Sequence, residues 1–192
     1  DNQGNSLEFT AIVENGLWQI ELADISALGD GQLEYSATVT DQSCNTATAT
    51  INVEKDSQAN INISVDTNAD LSDNTLNAAE IEHVDMSGEV SNVENDKAIK
   101  VFVSDGTQVL TFTTVVTNDL WSIDDNDLSS LNDGELTFAV GTLDDVGNLA
   151  LNLTTVIKDT QAAIDIVIES GGDGFIVAGE VAALTISGTV TN

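Results

Sequence analysis

The sequence repeats itself. "GLWQIELADISALGDGQLEY" at 16–35 falls on "DLWSIDDNDLSSLNDGELTF" at 119–138. The match runs on without a gap, with "INVEKDSQANINISVD" (51–66) on "TTVIKDTQAAIDIVIE" (154–169). It reaches back to "LEFTAIVENGLW" (7–18) on "LTFTTVVTNDLW" (110–121). Past Glu169 the register slips by a few positions, after which "LNAAEIEHVDMSGEVSN" (76–92) matches "IVAGEVAALTISGTVTN" (176–192). Self-similarity of this kind bounds the fold before any motif does. The unit is about a hundred residues long, the size of one β-sandwich domain.

Within each unit, apolar residues alternate. Leu33, Tyr35, Ala37 and Val39 do so in one copy, and Leu136, Phe138 and Val140 in the other. Ile61, Ile63 and Val65 correspond to Ile164, Ile166 and Ile168, and Leu7, Phe9, Ala11 and Val13 to Leu110, Phe112, Thr114 and Val116. A period of two with many β-branched residues predicts half-buried strands. Asp-Gly, Asn-Asp and Gly-Asn pairs mark turns between them. No long segment carries a helical period, although "DISAL" and "DLSSL" suit one tight helical turn each. One pair of segments conflicts. "NTATATINV" (45–53) puts Ala47, Ala49, Ile51 and Val53 on one face, whereas "NLALNLTTV" (148–156) puts Leu149, Leu151 and Leu153 on the other. A one-residue slip inverts a strand's faces, so a β-bulge is expected in one copy.

Charge excludes several partners. The 192 residues hold 33 acidic side chains against four lysines and no arginine, a formal net charge of −29. Nucleic acid and anionic membrane surfaces need clustered cations, which the chain lacks. No apolar run reaches the length of a membrane helix, so no membrane insertion is expected. Self-repulsion on this scale calls for an offset, and divalent cations are the natural candidates. One cysteine, Cys44, rules out an internal disulfide. With a single histidine, His83, and no second histidine to complete a nucleophilic constellation, no enzyme chemistry is expected. Trp18 and Trp121 sit at matching places among alternating Leu and Ile, which predicts packing inside a sandwich rather than a sugar-stacking platform.

The two stretches "NGLWQIELADISALGDGQLEYSATVTDQSCN" and "NDLWSIDDNDLSSLNDGELTFAVGTLDDVGN" resemble the bacterial immunoglobulin-like domains repeated in large, calcium-dependent surface adhesins and biofilm proteins. The shared pattern is a Trp strand, an Asp-Leu turn, a Gly-containing turn, a strand with Tyr and Thr, and an Asp-x-x-Gly-Asn loop. Cys44 stands where Gly147 supplies the loop glycine. The linkers "VEKDSQAN" and "VIKDTQAA" keep Asp56 and Asp159 but lack the family's proline. The resemblance implies an all-β fold of tandem immunoglobulin-like β-sandwiches. Its phasing makes 57–159 a complete repeat, 1–56 the rear part of a preceding one and 160–192 the first strands of a following one. The chain is then expected to be a window of a longer product.

The resemblance also implies Ca²⁺, which extracellular modules hold through loop carboxylates with a Kd of roughly 10⁻⁴–10⁻³ M. "DTNADLSDNTLNAAE" (66–80) offers Asp66, Asp70, Asp73 and Glu80, and "ESGGDGFIVAGE" (169–180) offers Glu169, Asp173 and Glu180. Neither fits the EF-hand spacing, because Leu71 occupies the position that needs glycine in the first and strands flank both. In a tandem array, Asp41, Asp56 and the next unit's acidic loop are expected to converge at one junction, and Asp144, Asp145, Asp159 and Asp173 at the next. The function expected is an extender or stalk segment at the bacterial cell surface, with neighbouring repeats of the same protein as its partners. Two alternatives stand beside it: a filament subunit, a head-to-tail homo-oligomer whose split domain is completed by strand exchange, and a glycan-binding module.

Overall fold

The computed structural model describes residues 1–67, 73–169, 174–182 and 184–191. Every regular element among them is a strand: β1 (Gly31–Thr40), β2 (Thr46–Lys55), β3 (Asn60–Ile61), β4 (Ser64–Thr67), β5 (Thr75–Leu76), β6 (Val84–Ser91), β7 (Ala98–Ser104), β8 (Val109–Val115), β9 (Leu120–Asn126), β10 (Gly134–Leu143), β11 (Leu149–Lys158), β12 (Ala163–Ile164), β13 (Val167–Glu169), β14 (Thr185–Ser187) and β15 (Val190–Thr191).

Residues 60–158 form two facing sheets. One has the order β5-β11-β10-β7-β8. In the other, β6 pairs with β3 and β4 on one side and with β9 on its opposite edge. The period-two pattern does what it predicts. Val84, Met86 and Val90 of β6 and Trp121 of β9 point inward from one sheet. Val101 and Val103 of β7 and Leu136, Phe138 and Val140 of β10 meet them from the other. Such face-to-face packing of two sheets, antiparallel apart from the β5–β11 pair, is a β-sandwich. The chain's entry strand splits between the layers: β3 and β4 join β6, while β5 crosses over and runs parallel to the end of β11.

The flanking segments contain the same elements only in part. β1 and β2 form an isolated hairpin with a continuous register from Gly31↔Lys55 to Thr40↔Thr46. Residues 7–13, which copy β8, form no strand, and neither do 18–23, which copy β9. Strands need partners to satisfy their backbone groups, and the partners of β8 and β9 in the intact copy, β7 and β6, have no counterpart between residues 1 and 56. The alternating side chains there are accordingly exposed.

The expected bulge in the hairpins is not present. β10 and β11 pair continuously from Gly134↔Lys158 to Leu143↔Leu149, as regularly as β1 and β2. The conflict resolves differently: Leu149, Leu151 and Leu153 lie on the solvent face, where the other copy has Thr46, Thr48 and Thr50. The register shift that does occur lies between Val84 and Met86, where β6 meets β9. There Asp125 adopts φ 60° and the Asn126 side chain donates to Val84 O and Ile123 O, both at 2.9 Å. The "DLSSL" turn closes through Leu131 N to Leu128 O, and "DISAL" through Leu28 N to Ile25 O.

The contrast between copies yields a test. Phe138 is fully buried, and its counterpart Tyr35 is 41 % exposed. Truncating a buried aromatic costs about 3–5 kcal/mol. Phe138→Ala should therefore lower the stability of the main unfolding transition by that amount, and Tyr35→Ala by less than about 1 kcal/mol. Urea titration followed by Trp fluorescence measures both.

Candidate functional site

Both long hairpin turns hold a carboxylate in a net of loop donors. In "DDVGN", Asp144 is 3 % exposed. Its Oδ1 accepts the backbone N–H groups of Val146, Gly147 and Asn148, and its Oδ2 accepts Asn148 Nδ2 at 2.7 Å. Burial pushes this carboxyl up, but the donors from Asn148, Gly147 and Val146 outweigh it and hold the carboxyl below its ordinary value. The loop needs a left-handed residue, supplied by Gly147 at φ 96°. In the other copy Cys44 takes φ 64° at that place, and Asp41 accepts from Ser43 N, Asn45 N and Asn45 Nδ2. Cys44 is a free, exposed thiol.

Linker residue Asp56 meets this loop. Asn148 Nδ2 donates to Asp56 Oδ1 at 3.1 Å. Partial burial raises the Asp56 carboxyl, and the charges of Asp144, Asp30 and Glu94 raise it further. Glu94 Oε2 accepts Asp145 N at 2.9 Å, and Lys97 forms an ion pair with Asp145. The junction between β2 and β3 thus sets Asp56 within the field of Asp144 and Glu94, while Lys97 pairs with the neighbouring Asp145.

A second device repeats at each linker. Lys55 Nζ donates to Leu28 O at 2.8 Å and pairs with Asp30 at 2.7 Å, while Asp30 also accepts Ser57 N and Ser57 Oγ. Those donors bring the Asp30 carboxyl down to about 2, with Lys55 the largest cause and Ser57 next. The copy is Lys158, whose Nζ donates to Ser129 O at 3.0 Å and to Leu131 O, lies 3.9 Å from Asp133 and is almost fully buried. Thr160 then binds Asp133 as Ser57 binds Asp30. In each copy, then, a lysine seals the Asp-Leu turn and an aspartate clamps the linker that follows.

The structure rearranges the expected junctions. Asp41 and Asp56 do not converge, nor do Asp144 and Asp159. Each pair flanks a ten-residue strand, and ten residues of strand span about 33 Å. Asp56 instead meets the turn of the following unit. Asp159 donates its backbone N–H to Leu76 O at the opposite end of that unit. Glu80 closes a turn, its Oε2 accepting Asn77 N at 2.9 Å while Asn77 Oδ1 accepts Ala79 N, and Glu180 does the same with Val177 N. In the first turn Asn77 Oδ1 also accepts Glu80 N at 3.3 Å, the reciprocal pairing of a capping box, which Val177 has no side-chain acceptor to repeat. Asp73 accepts Thr75 N in a turn of its own. Asp66 stands opposite Asp85 in the pairing of β4 with β6, and Glu169 ends β13. Asp70 and Asp173 lie outside the described residues. Among the described residues, no three Asp, Glu, His or Cys side chains stand close enough together to hold a metal ion. Sequence reasoning missed Glu94, Asp30 and Asn148; the recurring Asp-x-x-x-Asn spacing of both hairpin turns was the signal for the last.

Trp121 is buried and donates Nε1–H to Asn62 O at 3.2 Å, which fits a packing role. Trp18 is 55 % exposed. His83 Nδ1 lies 2.6 Å from Asp125 Oδ1, and this contact raises the imidazole pKa above its ordinary value.

No protein-family model and no curated protein matches the chain. Among solved structures, the chain is 27 % identical to a tetra-tandem repeat in the extending region of a large adhesion protein, covering 99 % of this chain and 46 % of that one at a TM-score of 0.48. It is 25 % identical to a Ca²⁺-stabilised adhesin with which an Antarctic bacterium binds ice, covering 85 % of this chain and 41 % of that one at a TM-score of 0.37. A bacterial immunoglobulin-like domain from the M. primoryensis ice-binding adhesin is also 25 % identical, with 50 % of this chain and 95 % of that one covered at a TM-score of 0.35. The chain thus spans less than half the length of the first of these.

Two outcomes follow for the junction. Lys158→Ala strands the buried carbonyl of Leu131 and removes a second bond at the part-buried Ser129 carbonyl, and should cost about 1–3 kcal/mol in urea unfolding. For Asp56, a folded-state pKa raised above the unfolded one means the ionised carboxylate destabilises the fold, fully at neutral pH and not at all once pH falls below the unfolded value. Asp56→Asn should therefore raise the melting temperature at pH 7, and that gain should shrink to nothing as pH falls through the carboxylate range.

Proposed function

We propose that the chain is an extender segment of a large bacterial surface adhesin or biofilm matrix protein, working outside the cell. Its partners are neighbouring repeats of the same protein, with 57–159 as one complete repeat. Its role is mechanical: to carry a distal binding region away from the surface at a fixed angle per joint. The tandem repeat and the sequence resemblance support the class. The observation that carries the joint is the linker aspartate, Asp56, tied to the next unit's hairpin turn through Asn148, with its carboxyl raised by its acidic neighbours.

Calcium completes this proposal. Asp56, Glu94 and Asp144 have the hard oxygen donors that Ca²⁺ takes, and their mutual repulsion is what a divalent ion relieves. Their oxygens are the donor type the ion takes, but no three of these side chains stand close enough together in this structure to share one ion; Lys97 supplies part of the same compensation through Asp145. When bound, the ion would neutralise the crowded carboxylates, and the chain's own groups would fix the joint: Asn148 bridging linker and loop, Asp30 clamping Ser57, Lys55 holding the turn behind it.

The test is thermal unfolding and small-angle scattering of the chain in EDTA and in millimolar calcium. A higher melting temperature and a narrower distribution of shapes in calcium are expected, both reduced in Asp56→Asn. Identical melts and scattering in the two buffers would remove the calcium joint and leave the Asp30–Lys55–Ser57 clamp and the Asp56–Asn148 contact to stiffen the linker.

A further inference from the structure

The complete repeat carries one apolar surface that its own fold leaves in water. Side chains of β7, β10 and β11 that point away from the core include Phe102, Leu143, Leu149, Leu151, Leu153 and Ile157, each between 41 and 63 % exposed. Register makes most of them neighbours. Leu149 stands opposite Leu143 and Leu151 opposite Gly141. Leu153 stands opposite Ala139, whose partner on the other side is Phe102. A Cβ on Gly141 would meet Leu151 Cδ1 at 3.4 Å, so the Leu151 side chain leans across the glycine. A solvent-facing side of an antiparallel sheet is ordinarily polar. The β1–β2 hairpin keeps that rule: Thr48 and Thr46 replace Leu151 and Leu149, and their hydroxyls lie 3.0 and 3.1 Å from those of Thr38 and Thr40.

Neighbouring repeats of the same polypeptide do not cover this surface. The linker arrives beside the Asp144 turn through Asp56 and leaves through Asp159 beside Leu76, so units joined in tandem meet at those two ends. The outer side of the β5-β11-β10-β7-β8 sheet runs between the ends and faces sideways, whatever precedes or follows the unit. Area and charge fit a second copy. The six side chains expose about 600 Å², so two such faces together would bury about 1,200 Å², the lower bound for a specific interface. A lone soluble domain seldom leaves so large a patch uncovered. Among the outward positions of β7, β8, β10 and β11, one is basic, Lys100, and one acidic, Glu135. The opposite sheet carries Asp66, Asp85, Glu89 and Asp124. Two chains of net charge −29 repel each other, and this face, whose own charges sum to zero, is where they can approach closely.

We infer that two copies of the chain pair laterally, sheet on sheet, through the outer face of β7, β10 and β11, with Leu151, Leu153 and Phe102 in the contact. The leucine row is its own complement, as a contact between identical surfaces requires. Such a contact closes on itself, so it gives pairs of chains lying side by side rather than a filament. Calcium plays no part in it.

Sedimentation equilibrium of the full chain in EDTA, at concentrations up to about 1 mM, tests this. A monomer–dimer equilibrium is expected. Leu151→Thr with Leu153→Thr installs the residues of the other copy, keeps β-branched side chains in the strand and should weaken dimerisation at least tenfold. Lys100→Glu, which touches no apolar residue but puts two acids on each face, should weaken it at least threefold. Leu120→Thr, at an exposed leucine of β9 on the other sheet, should leave it unchanged. Raising sodium chloride from about 0.05 to 0.5 M should strengthen it at least threefold, because salt screens the repulsion and not the apolar contact. Association that the leucine pair or Lys100→Glu leaves intact belongs to another surface and overturns the inference. So does a monomer at every concentration, whether or not it floats with phosphatidylcholine vesicles, an outcome that would assign the leucines to lipid.

Discussion

A sheet with one apolar face is stable in water only when a second apolar face lies against it. In residues 60–158 that condition is met, and nearly every large inward side chain is withdrawn from water. The same residue pattern in 7–51 meets no second sheet, and of its hydrophobic residues only Leu33 is buried. The comparison separates two things usually seen together. Hairpin formation is local, and β1 with β2 achieves it from turn chemistry and cross-strand pairing alone. Strand formation at 7–13 and 18–23 is not local, because those segments depend on neighbours distant in sequence.

That distinction also explains what could be read from the residues. The alternation of Leu136, Phe138 and Val140 made β10 and its buried face legible, and the repeat made the size of the unit legible. The Trp121 environment was legible because large alternating neighbours surround it. The leucines at 149, 151 and 153 suggested a bulge, whereas the continuous pairing of β11 with β10 keeps them on the same outer face as Thr46, Thr48 and Thr50. Strand faces follow from register, and register is set by the partner strand. The candidate site was read least well. Carboxylates were grouped by expected loop convergence, but a ten-residue strand separates the loops that had been joined. The partners that matter, Asn148, Glu94 and Asp30, come together only through the meeting of linker and turn.

Charge is handled by placement. Of four lysines, three are spent on carboxylates: Lys55 on Asp30, Lys97 on Asp145 and Lys158 near Asp133. Lys55 and Lys158 end strands and Lys97 lies in a loop, all three where backbone carbonyls and acidic side chains crowd. The remaining acidic residues lie mostly in solvent, where high dielectric and salt weaken their repulsion. The chain thus tolerates an extreme net charge by neutralising it only where groups cannot move apart. The repeated Asp–Lys–Ser/Thr clamp ties each linker to the unit before it, and the Asp56–Asn148 contact ties the linker to the unit after it.

The short parallel pairing of β5 with β11 has a consequence under load. Tension entering before β3 and leaving after β11 pulls these two strands lengthwise past each other. Bonds lying across the direction of pull, such as Ile157 N to Asn74 O and Asp159 N to Leu76 O, are then strained together rather than peeled one at a time. Shear of that kind resists rupture better than unzipping does, so a few bonds at the exit strand guard the core behind them against being drawn open.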